Sequence, residues 1–468
     1  MSQLPVDCLN EIFECLEKDK NTLHSCLLVN RLWCEISVRI LWKSVLNCNT
    51  LIACLPNESK EILHENGIII PTPTSKSPLF NYIAFIKKLE IDNIIKSLFK
   101  NYQSTTPLSL DYQKYTVTQE IYKSLMNQIS SLRELHLCSS TATNITFTIY
   151  PGAIDCLKHL FHLSCRSNIY PGFFYQLSQI CHNIQSLDIK FENVISNGLK
   201  DLISVQKNLK YLNMDRYRYG EDLTHLIPSL TIHSNTLIKL NIYENTPFSF
   251  IAKFTNLQEL ELSFDYDDAF EDFKTLQYVT FPQLRILKFP YESPSSELLI
   301  KFLENNGKNL NEFYVSNVEI DNNLLNTAVA KFCPNLRKLH ITFNYDKFLE
   351  TLKMIFNNCQ YLESIKIWSG YECYLDTKCD TKELFEVLAK YSPKCFHELQ
   401  ISLPSLFLEK YLEEFFINWK NRIPLSFDLV MQFEEDYEVT EIIEKYKKLG
   451  IIKRFTALTC YDETLFSI

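Results

Sequence analysis

The sequence predicts an α/β fold: a solenoid with a curved parallel sheet inside and helices outside, preceded by a module of three short helices. Three observations carry the prediction. One apolar phrase, with apolar residues at positions n, n+3 and n+5, returns between residues 132 and 401 at intervals of 20 to 34 residues. The stretches between phrases hold apolar residues at helical spacing. Residues 4–42 carry three helical patterns and no copy of the phrase.

In the N-terminal module, Pro5 stands near the start of the first helix, where its missing N–H costs little. Leu9, Ile12, Phe13 and Leu16 then make one apolar helical face, which the polar run Glu17 to Asn21 ends. Leu23, Leu27 and Leu28 give a second short helix; Trp33, Ile36, Ile40, Leu41 and Trp42 give a third. Three short helices with this much apolar surface are expected to bury part of it against something outside themselves. In order and spacing, Leu4-Pro5, Asp7, Leu9, Ile12-Phe13, Leu16, Val29, Arg31, Trp33 and Leu41-Trp42 resemble an F-box. Asn30 departs from that pattern, standing where many members carry Cys. The resemblance implies an F-box over residues 1–46 that docks on a Skp-type adaptor, and through it on a cullin–RING ubiquitin ligase. It also implies adaptor contacts among Leu4, Pro5, Leu9, Ile12, Phe13, Leu16, Val29 and Trp33, some of which must instead form the module's own core. The alternative from the residues alone is a helical cap for the remainder of the chain.

Residues 47–120 read as a linker and the N-terminal part of the solenoid. Leu51, Ile52 and Leu55 precede Pro71 to Pro78, a linker by composition. Ile86-Leu89-Ile91 has the phrase's spacing and would start the stack. Residues 101–118, rich in Ser, Thr and Tyr, read as an inserted loop.

Residues 121–468 read as the solenoid with a C-terminal cap. The phrase appears as Leu132-Leu135-Leu137, Leu160-Leu163-Cys165, Ile184-Leu187-Ile189, Leu209-Leu212-Met214, Leu237-Leu240-Ile242 and Leu257-Leu260-Leu262. It continues as Leu284-Leu287-Phe289, Leu310-Phe313-Val315, Leu336-Leu339-Ile341, Leu362-Ile365-Ile367 and Phe396-Leu399-Ile401. Most of the intervals fall in the 20–29-residue range of leucine-rich repeats. On a short strand the n+3 and n+5 side chains point to one side, into a core, and the residues between them point to the other. Between phrases, stretches such as 198–205, 296–304, 323–332, 348–356 and 382–390 have helical spacing. One strand and one helix cannot bury both faces alone, so stacked neighbours must supply the core. Cys181, Cys333 and Cys359 each stand three residues before their phrase, which resembles the cysteine-containing class of leucine-rich repeats and implies a buried thiol. Phe427 and Leu429 suggest one more strand, and Glu441 to Leu449 a helix suited to a terminal cap. Residues 451–468 are ambiguous.

Composition bounds the chemistry. Of 468 residues 46% are hydrophobic and 22% charged, which is globular and not disordered. No apolar run reaches the length of a membrane span, and no basic and apolar leader opens the chain, so a soluble cytoplasmic or nuclear protein is expected. A net charge of −9 with no dense Lys/Arg block argues against nucleic acid as partner. There is no Cys-x-x-Cys pair, and with 8 glycines there is no phosphate-binding Gly-rich loop. Cys156, His159, His162 and Cys165 have the equal spacing of a zinc set, but Cys165 is a core position and His162 lies on the other side of its strand, so ordinary repeat residues are expected and no metal. Cys373, Asp376, Cys379 and Asp380 read as a loop between repeats, and the acidic run from Asp265 to Asp272 as a solvated one. No nucleophilic catalytic set stands out, and no cofactor and no enzymatic activity are expected.

The side chains at n+4 and n+6 are then the candidate binding surface for a target protein. They include the aromatics Tyr243, Tyr314 and Trp368 with basic Arg166, Lys190, Lys288, His340 and Lys366, and acidic Asp188, Asp215 and Glu261. Mixed charge with aromatics suits a protein partner. Together with the F-box resemblance this implies a target-recognition subunit of a Skp–cullin–F-box ubiquitin ligase. A repeat scaffold uncoupled from ubiquitylation, or a receptor that needs a small ligand, would have the same sequence features.

Overall fold

The computed structural model describes residues 4–45, 48–65, 78–90, 92–94, 96, 110–137, 147–192, 194–216, 223–243, 247–264, 267–315, 322–342, 348–368, 381–402, 408–431 and 437–459. The chain forms two compact units, Met1–Asp222 with Pro228–Leu230 and Leu223–Ile227 with Thr231–Ile468. Both are leucine-rich-repeat-type α/β solenoids built of parallel strands joined by helical returns. No described helix is long and apolar enough to cross a membrane.

The first unit opens with α1 (Val6–Glu14), α2 (Lys20–Cys26) and α3 (Arg31–Leu41). Polar residues set their boundaries. The Asp19 carboxylate accepts from the Thr22 amide at 3.0 Å and starts α2, and the Asn30 side-chain oxygen accepts from the Trp33 amide at 2.9 Å and starts α3. α1 therefore ends before the polar run, and Leu28 falls in the turn between α2 and α3, not on a helix. Leu9, Phe13, Leu23, Cys26, Ile36, Val38, Ile40 and Leu41 form one core, with the Phe13 and Trp33 rings edge-on at 5.0 Å.

Helices Cys48–Ala53 and Asn57–Glu65 and a 3-10 turn, Tyr82–Phe85, lead to five strands: β1 (Lys88–Glu90), β2 (Glu134–Leu137), β3 (His162–Arg166), β4 (Ser186–Phe191) and β5 (Tyr211–Arg216). Each pairs in parallel with the next, and Leu89, Leu135, Leu163, Leu187 and Leu212 stand in one row. The Ile86-Leu89 phrase is thus a true first repeat. Residues 101–109 lie outside the described residues, but 110–118, expected as loop, belong to a helix, Leu110–Gln128. Val117, Ile121 and Leu125 give it a buried stripe at i, i+4 spacing.

The second unit contributes β6 (Lys239–Tyr243), β7 (Glu259–Leu262), β8 (Ile286–Phe289), β9 (Glu312–Val315) and β10 (Lys338–Thr342). After them come β11 (Ser364–Trp368), β12 (Glu398–Ser402), β13 (Leu425–Met431) and β14 (Ile452–Thr459), again parallel and in chain order. Leu260, Leu287, Phe313, Leu339, Ile365, Leu399, Phe427 and Phe455 continue the n+3 row. Where the return is short the helix tightens: the return after β6 is a 3-10 segment, Phe248–Lys253. The C-terminal helix, Tyr437–Lys448, is not the end of the stack, because β14 comes after it and pairs with β13.

Two side-chain ladders lock successive repeats. At position n−3, the Cys181 thiol donates to the Leu157 carbonyl at 3.1 Å and the Cys359 thiol to the Cys333 carbonyl at 3.3 Å, in each case the n−3 carbonyl of the preceding repeat. Gln206 fills the same position after Cys181. Its amide nitrogen donates to the Cys181 carbonyl at 2.9 Å, while its oxygen accepts from the Ile184 amide at 2.8 Å. At n−1, the side-chain amides of Asn309 and Asn335 donate to the carbonyls of Pro282 and Lys308, at 3.1 and 2.8 Å. Burial pushes the Cys181 and Cys359 thiols up to about 12, as expected for packed, unreactive sulfur.

Candidate functional site

The N-terminal module has two faces. Leu9 and Phe13 point into its core, and Leu16 and Trp33 pack half-buried on that core. Pro5 is exposed at the head of α1. Of the other residues expected to meet an adaptor, Leu4 is 56% exposed, Ile12 49% and Val29 56%; Val6 at 49% and Leu28 at 89% join them. The phrase that resembles an F-box thus divides: Leu9 and Phe13 hold α1 in place, while Leu4 and Pro5 before α1, Ile12 on it and Val29 in the α2–α3 turn face solvent. Val6 belongs to neither the apolar stripe nor the motif, and Leu28 has the spacing of a helix core, so sequence reasoning misses both as surface residues.

The module is continuous with the first repeat. In each repeat of this unit two successive amides bond to one carbonyl of the preceding repeat. Arg133 and Glu134 donate to Lys87, and Phe161 and His162 to Arg133. Lys87 and Lys88 likewise donate to the Lys43 carbonyl at 2.7 and 2.8 Å, so Lys43, just after α3, occupies the place of a preceding repeat. The Lys43 ammonium in turn pairs with Glu14 at the end of α1 and, at 3.2 Å, with Glu17 in the turn after it. Phe80, Tyr82 and Phe85 pack against the module's core.

On the open face of the second unit the n+4 residues stand in register across the strands. Lys288, Tyr314, His340 and Lys366 are successive partners from β8 to β11. Tyr314, expected as an exposed aromatic, is only 7% exposed and His340 8%, because each is covered by its cross-strand neighbours; the two rings meet edge-on at 3.9 Å. Lys366 is half-buried and Trp368 lies in β11, with its side chain outside the described residues. The Tyr243 hydroxyl donates to Glu261 at 2.9 Å, which occupies it within the protein.

A recess of about 280 Å³ opens over β8 to β12, lined by Lys288, Glu312, Tyr314, Lys338, His340, Ser364, Lys366 and Glu398. Burial pushes His340 down to about 3, with Lys366 adding to the shift, so His340 is a neutral imidazole. Burial also lowers Lys366 and raises the Tyr314 hydroxyl. The Tyr314 hydroxyl and His340 Nδ1 are buried without a hydrogen-bond partner among the described residues.

The other residue sets with chemical promise in the sequence resolve differently. Cys156 and Cys165 are buried in the core, whereas His162 Nδ1 lies 2.8 Å from the Ser186 hydroxyl and Nε2 3.5 Å from Asp188. Among the described residues no three His, Cys, Asp or Glu side chains are grouped to hold a metal. Ser186, His162 and Asp188 share one face of the sheet, and the amides of Gln185 and Ser186 both donate to the Phe161 carbonyl. Arg166 pairs with Glu192, and Lys190 with Asp215 at 3.8 Å. Asp272 accepts from the Phe248 amide at 3.1 Å, a structural bond in the acidic run. Asp265, Cys373, Asp376, Cys379 and Asp380 lie outside the described residues.

No family model and no curated protein matches the chain. Among solved structures, the chain is similar to one in the crystal structure of the Rad7 and Elc1 complex in yeast, with a TM-score of 0.40 and 13% identity over 99% of this chain and 96% of that one.

Proposed function

We propose that this chain is the target-recognition subunit of a Skp–cullin–F-box ubiquitin ligase. The N-terminal helices dock on a Skp-type adaptor and the repeat solenoid holds the target. The chain performs no chemistry of its own; it raises the target's effective concentration at the ubiquitin-loaded partner. The observation that carries this reading is the apolar surface of Leu4, Val6, Ile12, Leu28 and Val29 on a module whose own core is already complete. A surface of that kind on a solvated module marks a protein contact. The Lys43 carbonyl favours a second role, that of cap for the first repeat, and it is separate from the apolar residues Leu4, Val6, Ile12, Leu28 and Val29.

The test is co-purification of the full chain with a Skp-type adaptor, intact and as the double variant Ile12→Asp, Val29→Asp. Both side chains are exposed, so the variant keeps the intact chain's unfolding midpoint. The expected result is adaptor bound to the intact chain and lost from the variant. A folded intact chain that binds no adaptor would leave only the cap role and overturn the ligase reading.

A further inference from the structure

The recess over β8 to β12 has an unequal charge inventory. Its lining carries three ammonium groups, Lys288, Lys338 and Lys366, against two carboxylates, Glu312 and Glu398. Lys338 is 3.1 Å from Glu312 and Lys288 is 3.7 Å from Glu259, while Glu398 lies 3.6 Å from Arg454, which also pairs with Asp428 at 3.1 Å. Lys366 makes no ion pair among the described residues, although it is half-buried in the lining. Beside it, a neutral imidazole and a phenol are sunk in the floor with hydrogen-bonding atoms that meet no partner among the described residues. Leaving such a group unpaired carries its desolvation cost, which a ligand atom can return.

We infer that this recess seats one oxyanion, a carboxylate or a phosphate group, on the Lys366 ammonium, with the Tyr314 hydroxyl and His340 as hydrogen-bond donors. Neutral His340 donates through the tautomer that carries its proton on Nδ1, so it meets the anion without adding charge. Burial holds the Lys366 ammonium below its ordinary range even though Glu398 and Asp428 pull the other way, as expected of a cation that gains from a close counter-charge. The inference goes beyond the adaptor reading and does not depend on it, since the recess and the N-terminal module lie in different units.

The test uses the full chain, limiting acetic anhydride and residue-resolved mass spectrometry to follow acetylation of Lys366. The exposed Lys301, on the helix Ser296–Asn306, is the reference. Inorganic phosphate and acetate are the probes, with sodium chloride at matched ionic strength as control. At ~3 times the dissociation constant, simple mass action slows Lys366 roughly fourfold and leaves Lys301 unchanged. Protection by phosphate alone assigns the site to phosphate, protection by acetate alone to carboxylates, and protection by both to oxyanions in general. Tyr314→Phe is expected to weaken that protection while Lys366 is still labelled in the absence of anion. Equal slowing by chloride, or no slowing of Lys366 before Lys301 also slows, would overturn the inference. Neither outcome touches the adaptor test, which uses no anion.

Discussion

His340 shows how the repeat changes the chemistry of a single side chain. Its place in β10 sets it between Tyr314 and Lys366, and burial there disfavours the imidazolium, with the Lys366 charge adding to the effect. The folded-state pKa lies near 3, below the unfolded value of about 6.5, so the unfolded chain takes up the proton first as pH falls. The contribution is therefore complete above about pH 6.5 and is lost on acidification, by up to about 1.4 kcal/mol per pH unit. His136 shifts the same way, through burial and then the charge of His162, and adds to the slope. The urea midpoint of the full chain is expected to fall between about pH 7 and pH 5. His340→Gln should flatten part of that fall. Wild type and variant with the same pH dependence would show that His340 does not titrate on unfolding. Gln206 makes a related point without charge: it makes the bonds to the preceding repeat that a thiol makes elsewhere, and adds one to a backbone amide.

At the scale of an element, α1 separates core from surface along one helix. Leu9 and Phe13 fall within an arc of roughly 40°, and Ile12 lies roughly 60° to one side of Leu9. Leu9→Ala is expected to lower the unfolding free energy by about 2–5 kcal/mol, and Ile12→Ala to change it by less than about 0.5 kcal/mol. Urea unfolding of the two variants checks the contrast; equal losses would place Ile12 in the core. The sequence could not make this division, because an apolar residue beside a core stripe either widens the core or awaits a partner, and the partner is not in the chain. The strands were legible for the opposite reason. The n+3 residues, such as Leu339 and Ile365, face similar neighbours one period away, so pattern and packing coincide. The n+4 row was legible in direction but not in exposure, since the burial of Tyr314 depends on the sizes of Lys288 and His340 about one repeat away on either side. The helix Leu110–Gln128 was missed because its polar first turns hide the stripe that begins at Val117.

At the scale of the whole molecule, the question is what replaces the missing neighbour at the first repeat. Solenoid stability is the sum of repeat energies and the interfaces between them, so an uncapped end lacks one interface. Here the N-terminal module supplies it, with the Lys43 carbonyl for the amides of Lys87 and Lys88 and an apolar core for Phe80, Tyr82 and Phe85. Removing residues 1–45 leaves those two amides without acceptor and strips the rings of their packing partners. The expected outcome is a lower urea midpoint for the shortened chain than for the full one, with binding of an apolar dye that the full chain does not bind. The Ile12→Asp, Val29→Asp chain keeps Lys43 and the core, and should match the intact chain in both measurements while losing the adaptor. That pairing separates the cap from the proposed docking surface, since the shortened chain loses both together and the double variant only the second. A shortened chain as stable as the full one would mean that the first repeat stands unaided. The helices would then be kept for docking alone.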